Sequence, residues 1–297
     1  MLPPLHTPLF RLSNLFPKRE VYAKCEFLAP SGCFKIRGAN HLLEHLSREA
    51  RTRHLVVPSM GNTALGAAVG AQAYGFSMIG VVPQTISRAK DEKLRALGVE
   101  LVKIDGGGSD LLRCATEISA EHGGYFVHPH LDPLWTDGYR SIGAEVVEAL
   151  PECRSLVFPV GGGGLLLGLV AYLRENPGPM RLVGCEPYSY PKYAPFDHVR
   201  TTTIADGLRL ETAHPPVQKA IKEAGIPIGM VSETDIRVAM RDLFELQGLV
   251  VEPSSAVPVA YMQRHAAEIQ EPICLILTGE NIARDDHRKL MIEAYSA

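Results

Sequence analysis

The stretch from Leu156 to Leu173 runs for 18 residues without a charged side chain. That is about the minimum length for a membrane-spanning helix, so it forces a choice about the whole chain. Pro159 and four consecutive glycines, Gly161 to Gly164, stand near its start. Both residue types interrupt a helix, and the segment reads as a buried strand, a glycine turn and a buried helix. A strand that is apolar throughout belongs in a parallel sheet covered on both faces.

The same pattern recurs along the chain. Leu55-Val56-Val57 leads into the glycine-rich segment Gly61 to Gly75, and Ser77 to Val82 precedes a charged helical stretch from Ser87 to Leu97. Glu100 to Ile104 precedes Ser109 to His122, where Ser109 and Asp110 are expected to cap the helix. Ser155 to Val160, Arg181 to Cys185 and Ile273 to Leu277 are further apolar runs beside helical segments. The expected fold class is therefore α/β with mainly parallel sheets.

At 297 residues the chain has room for roughly two domains. A net charge of −3, with acids and bases interspersed, leaves no electrostatic footprint for nucleic acid and favours a small-molecule partner. The six cysteines form no Cys-x-x-Cys pair, which argues against a zinc site or disulfide framework and suits a cytoplasmic location. No basic segment followed by an apolar one opens the chain, so no signal peptide is expected, and no membrane association.

Four segments carry candidate chemistry. In Ser31-Gly32-Cys33-Phe34-Lys35-Ile36-Arg37-Gly38-Ala39-Asn40, a lysine stands between Phe and Ile. Desolvation favours a nucleophilic free amine there, although by itself Lys35 reads more readily as a surface lysine whose stem covers apolar groups. Ser59-Met60-Gly61-Asn62-Thr63 lies between a strand and an Ala/Gly-rich helix, where free backbone N–H groups bind anions; Asn62 or Thr63 acting as a plain helix cap is the alternative. Gly161 to Gly164, at a helix start, can cradle a phosphate or simply turn the chain. It matches neither a Walker loop nor the dinucleotide fingerprint. Gly106 to Gly108 also precedes a helix, but Asp105 and Asp110 flank it and would repel an anion. The fourth segment, Leu277-Thr278-Gly279-Glu280-Asn281, follows a buried strand, at the end where ligands sit in open α/β sheets.

Together and in this order the four segments resemble the fold type II family of pyridoxal phosphate (PLP) enzymes. That family includes serine and threonine dehydratases, serine racemase, cysteine synthase and threonine synthase. The resemblance extends through His128-Pro129 to Glu145, Thr203-Ile204-Ala205-Asp206-Gly207 and Val251-Glu252-Pro253-Ser254-Ser255-Ala256, nearly the whole chain. It implies two three-layer α/β/α domains with mainly parallel sheets. Residues 1–53 and 132–297 would form a large cofactor-binding domain, and 54–131 a small domain for the substrate carboxylate. It also implies a homodimer.

By the same resemblance Lys35 carries PLP as a Schiff base, with Phe34 near the ring. Asn62 meets the phenolic oxygen, while Ser59, Gly61, Asn62 and Thr63 hold the substrate carboxylate. Gly161, Gly162, Gly163 and Gly164 hold the phosphate, and Thr278 meets the pyridine nitrogen. A neutral hydroxyl there cannot supply the negative charge that keeps a pyridine nitrogen protonated. The ring is then a weaker electron sink, and loss of a β-substituent suits it better than a long-lived carbanion. The activity implied is β-elimination by a PLP-dependent lyase of the serine/threonine dehydratase type. It converts a β-hydroxy amino acid to a 2-keto acid and ammonia, with Lys35 as base. A β-replacement synthase of the cysteine or threonine synthase type is the alternative, and a non-catalytic PLP-binding protein the third reading.

Several residues depart from the family pattern. Met60 stands where serine racemase carries Ser, and a thioether cannot deliver a proton to Cα. Thr63 is more like the synthases than the dehydratases, which have His. Tyr139-Arg140-Ser141 replaces Gln-Gly-Thr, which makes Tyr139 a candidate for the substrate pocket or the segment simply a variable loop. His128 and His130 lack an evident third ligand, and Asp206 and Glu211 do not establish a cation site, so no metal is assigned. The chain ends 16 residues after Asn281, and no C-terminal regulatory domain is expected.

Overall fold

The computed structural model describes residues 5–49, 52–59, 61–86 and 88–295. The strands are β1 Leu9–Arg11, β2 Val21–Cys25, β3 His54–Pro58, β4 Ser77–Pro83, β5 Glu100–Ile104, β6 Tyr125–Phe126, β7 Ser155–Pro159, β8 Arg181–Pro187, β9 Ile228–Val231 and β10 Ile273–Leu277. The helices are α1 Lys35–Glu49, α2 Asn62–Tyr74, α3 Arg88–Ala96, α4 Gly108–His122, α5 Pro133–Asp137, α6 Arg140–Ala149, α7 Gly164–Glu175, α8 Pro215–Ala224, α9 Glu233–Gln247, α10 Pro253–His265 and α11 Arg284–Ala294. The uncharged stretch thus divides into β7, a glycine turn and α7. Among the described residues no helix is long and apolar enough to cross a membrane.

The chain divides into a first unit, holding Leu5 and Ala29–Ser141, and a second, holding His6–Leu28 and Ile142–Ala297. The first is built on a parallel sheet ordered β5-β4-β3-β6. Val56 and Val81 face α4 through Leu111 and Ala115. Leu55 and Val57, alternating with Val56, are buried on the other face, the side on which α2 packs. Helices α1 and α2 approach so closely that a methyl group on Gly66 would lie 2.7 Å from Lys35 Cβ, and one on Gly70 would lie 2.8 Å from Leu43. Glycine is required at both points by that approach. Leu42, Leu43 and Leu46 of α1 are fully buried by it, each worth roughly 2 kcal/mol of transfer free energy.

The second unit holds a sheet ordered β1-β2-β10-β7-β8-β9, parallel except for the β1–β2 pair. One face packs Val21, Ala23, Val157 and Leu275 against Ile236, Met240, Val257 and Ala260 of α9 and α10. Lys24 on β2 points the opposite way and is buried against Glu145 of α6, at 2.5 Å.

Two sequence expectations differ from what is observed. The division places residues 29–53 and 132–141 with the smaller sheet, because α1 packs on α2 and α5 packs on α1. The N-cap of α4 is Gly107, and Ser109 lies inside the helix. Asp110 reaches back to accept the Gly107 N–H at 3.1 Å, so the glycine run is a helix-starting turn. Ser87 at the start of the third predicted helix lies outside the described residues.

Candidate active site

Lys35 is the first residue of α1, half-buried, at the end of the turn containing Gly32 at φ 69°. Its Nζ lies 3.5 Å from the Pro129 carbonyl oxygen, 4.9 Å from the centre of the Phe34 ring and 5.8 Å from that of Tyr139. Phe34 and Tyr139 meet at 4.8 Å between ring centres, tilted by 47°. Tyr139 is fully buried, and its hydroxyl accepts a hydrogen bond from Trp135 Nε1 at 2.5 Å. Burial pushes the Tyr139 hydroxyl well above the usual phenol range, so this residue presents a neutral ring, not an acid. Its neighbours turn elsewhere. Arg140 pairs with Asp137 at 2.9 Å, and Ser141 donates to the Gly138 carbonyl and accepts from Arg37.

The loop before α2 lies in the same unit. Gly61 is the N-cap, which leaves Asn62 and Thr63 as the first two residues of the helix. Ser59 Oγ accepts the Gly61 N–H at 3.1 Å, and Cys33 Sγ reaches the Asn62 carbonyl at 3.7 Å. The latter contact joins the loop to the segment bearing Lys35. Thr63 is buried; Met60 lies outside the described residues. One residue was missed from sequence: Lys90 of α3, whose Nζ comes within 3.3 Å of where a Gly61 side chain would stand. An ammonium beside an uncapped helix start reinforces a site for an anion. No spacing signal marks this lysine, since the contact depends on how α3 folds over the loop.

The other candidates belong to the second unit. Strands β7 and β10 are parallel neighbours, so the glycine turn and the Thr278 loop leave the same edge of the sheet. Gly163, the N-cap of α7, has φ 84°, and a side chain there would strike Val217 at 2.4 Å. A side chain at Gly161 would come within 3.0 Å of the Gly207 carbonyl oxygen. No side chain caps α7, which leaves its first N–H groups for a ligand. Thr278 is buried, and its Oγ1 lies 3.1 Å from Ser255 Oγ. Ser255 also donates to the Gly279 carbonyl at 2.8 Å and accepts the Gly279 N–H at 2.6 Å. Ser255 belongs in sequence to the Val251-Glu252-Pro253-Ser254-Ser255-Ala256 motif, and its contact with Thr278 arises only from α10 and β10 lying side by side.

Of the histidines flanking Pro129, His128 holds the local turn, its Nδ1 accepting the backbone N–H groups of His130 and Leu131, both at 3.2 Å. Among the described residues no cluster of three or more His, Cys, Asp or Glu side chains is placed to hold a metal ion.

The first unit thus carries a half-buried lysine beside aromatic rings, and the second a glycine turn at a helix start and a buried hydroxyl at a strand end. The model of the pyridoxal-phosphate dependent enzyme family matches residues 2–279. The chain belongs to that family. It is 32% identical over 270 residues to an L-threonine ammonia-lyase of Geobacter sulfurreducens, covering 88% of this chain and 67% of that one. It is 31% identical to an L-threonine ammonia-lyase of Thermotoga maritima, covering 89% of this chain and 67% of the relative. Among solved structures, the processed form of threonine deaminase isoform 2 from Solanum lycopersicum superimposes with a TM-score of 0.88 at 25% identity, over 98% of this chain and 84% of that one.

Proposed function

We propose that this chain is a PLP-dependent ammonia-lyase, a dehydratase that converts a β-hydroxy amino acid of the serine/threonine type to a 2-keto acid and ammonia. The residues present suit the cofactor. Lys35 is accessible for a Schiff base, and Phe34 and Tyr139 give it an aromatic wall. The Gly161–Gly164 turn offers uncapped N–H groups to the phosphate. Asn62 would meet the cofactor's phenolic oxygen, and Thr278 its ring nitrogen. PLP, when bound, withdraws electrons from Cα and so acidifies its proton.

The observation that carries the reading is the partner of Thr278, which is the hydroxyl of Ser255 and not a carboxylate. A pair of neutral hydroxyls adds no negative charge at the ring nitrogen, which favours immediate loss of the β-substituent over a persistent carbanion. Lys35 would hold the cofactor, and its free amine would be the base that takes the Cα proton. Gly61, Asn62 and Thr63 at the start of α2, with Ser59 fixing the loop and Lys90 adding a positive charge, hold the substrate carboxylate. The Tyr139 ring, itself fully buried, lies behind Phe34 and acts on the substrate side chain only through it. In this reading the second unit is the larger, phosphate-holding part, the sheet of the first unit carries the carboxylate loop, and the enzyme works as a cytoplasmic homodimer.

The test is a spectral screen of amino acids against the yellow holoenzyme, with mass spectrometry of the products. Keto acid and ammonia from serine, threonine or a β-hydroxy analogue support the lyase. Product only in the presence of an added nucleophile would replace it with the synthase reading. Lys35→Ala should lose both the visible absorbance of the bound cofactor and turnover; retained turnover would overturn the assignment of the base.

A further inference from the structure

The second unit buries an ion pair that the proposed chemistry does not use. Glu186, at the end of β8, and Lys192, six residues on, both have side chains with 0% exposure. Their charges face each other at the long end of a charge contact, with Lys192 Nζ 3.6 Å from Glu186 Oε2. The carboxylate turns its other oxygen, Oε1, to the backbone N–H groups of Lys192, Tyr193 and Ala194 at 2.9, 2.9 and 2.7 Å. Oε2 has no hydrogen-bond donor and faces the ammonium alone. The ammonium donates to the Leu208 carbonyl at 2.8 Å and to the Tyr190 carbonyl at 3.4 Å.

Two carbonyl oxygens and a carboxylate oxygen around one positive charge are the ligand set of a hard cation. We infer that Lys192 is a tethered cation, filling with its ammonium an oxygen cage formed by Glu186, Tyr190 and Leu208 and thereby holding the Asp206–Leu208 turn against the glycine cradle. The second half of this rests on the proposed phosphate-binding role of that cradle. The connection is short. The carbonyl of Gly207 and the Cα of Leu208 lie 3.0 and 3.5 Å from where a Gly161 side chain would begin. On its other side the turn meets α10, where a side chain at Gly207 would come within 2.9 Å of Ser254 Oγ. The turn is wedged between the cradle and α10, and Lys192 is a positioning residue that fixes its carbonyl end. Burial holds the Lys192 ammonium at about 8, below the 10.5 of a free lysine, and it is still mainly charged at neutral pH.

Lys192→Ala removes the ammonium and its stem but leaves the oxygens, which an added cation can then reach. The experiment measures thermal unfolding of the cofactor-free chain and PLP affinity by absorbance titration, each with and without millimolar K⁺, Mg²⁺ or Ca²⁺. The expected result is a midpoint lowered by about 5 °C or more and PLP bound roughly tenfold more weakly. At least one cation should reverse both changes while leaving the wild type unmoved. Lys192→Met, whose side chain fills the space without charge, should show the losses and no rescue. If no cation restores Lys192→Ala, or if each shifts the wild type equally, the cage is wrong. If stability recovers while PLP affinity never changed, the link to the cradle is wrong. Should Lys192→Ala be too unstable to purify, unchanged PLP affinity in Lys192→Met overturns the proposal. A wild type that binds no PLP would refute the proposed function, and the melting data would still decide the cage.

Discussion

The second unit contains two buried lysine–glutamate pairs, and they are built differently. Lys24 and Glu145 touch at 2.5 Å, and the same ammonium donates to the Thr7 carbonyl. Glu145 accepts the Thr7 N–H, and Thr7 Oγ1 donates to a further buried carboxylate, Glu26, at 2.6 Å. Lys192 and Glu186 stand 3.6 Å apart and spend their hydrogen bonds on backbone groups. The first pair is a direct bond that fastens the segment before β1 to α6. The second is two ends of a clamp on loops. Distance thus separates a pair that joins two elements from one in which each charge organises its own backbone, and the two should respond differently when broken.

The largest effect is expected at Lys24. Removing it takes from the buried Glu145 carboxylate the ammonium it touches at 2.5 Å, a cost of about 3–5 kcal/mol. Lys24→Met should lower the midpoint of thermal unfolding by roughly 10 °C, and a fall of only a degree or two would show that the pair is not held closed. Lys192→Met should cost less, because Glu186 keeps its three backbone donors. If both substitutions cost the same, the distinction between bond and clamp fails.

The pH dependence sharpens the contrast for the second pair. Burial first, with a contribution from the Arg200 charge, depresses Lys192 to about 8 from 10.5. The folded chain therefore holds fewer protons than the unfolded chain between those values, and stability from this group rises with pH across that window. Below about pH 8 the cost of burying the charge is present in full. The stability difference between wild type and Lys192→Met should accordingly shift in favour of the wild type between about pH 8 and 10.5, as measured by urea unfolding. A flat difference over that range would mean that the ammonium is far better solvated than its burial implies.

A smaller effect is expected at Ser255. Ser255→Ala strips Thr278 of its buried partner and takes the acceptor from the Gly279 N–H, whose carbonyl keeps the Glu252 N–H at 3.0 Å, at about 1–3 kcal/mol. If Ser255 positions the hydroxyl for the cofactor ring, kcat should fall with KM little changed, and the absorbance of the bound cofactor should shift. Loss of stability with unaltered spectrum and kcat would reduce Ser255 to a packing residue.

The pairs also mark what was legible in the sequence. Parallel strands such as β7 and β10 are unbroken apolar runs, Ser155–Pro159 and Ile273–Leu277, buried at every residue, and their pattern is visible without a structure. β2 is equally buried at its centre but contains Lys24 and reads Val-Tyr-Ala-Lys-Cys. The charge hides the strand, because its counter-charge lies 121 residues away. β6 and β9 are short and only partly buried, too weak a signal for periodicity. The glycine turn, the Lys35 segment and Thr278 were readable because each is a local motif. Lys90, Ser255 and Lys192 were not, since each acts through a contact set by packing between elements.

The smallest effect expected concerns the cysteines, and it tests the same sheet. Cys25 ends β2 next to Lys24, and burial first, then the adjacent Glu26 charge, pushes its thiol up to about 12. Cys153, just before β7, is pushed up to about 11, again chiefly by burial. A thiol attacks only as thiolate, and at pH 8 these two are protonated as well as shielded. Cys114 on α4 is partly exposed, unlike the other five. A thiol-reactive disulfide reagent at pH 8 should therefore label about one cysteine per native chain quickly, with mass spectrometry placing the label on Cys114. In Lys24→Met, loosening of β2 should make Cys25 the next to react, whereas Lys192→Met should leave it protected, since the clamp at Glu186 does not touch that strand. Equal exposure of Cys25 in both variants would mean that the two pairs stabilise the sheet as a single cooperative unit.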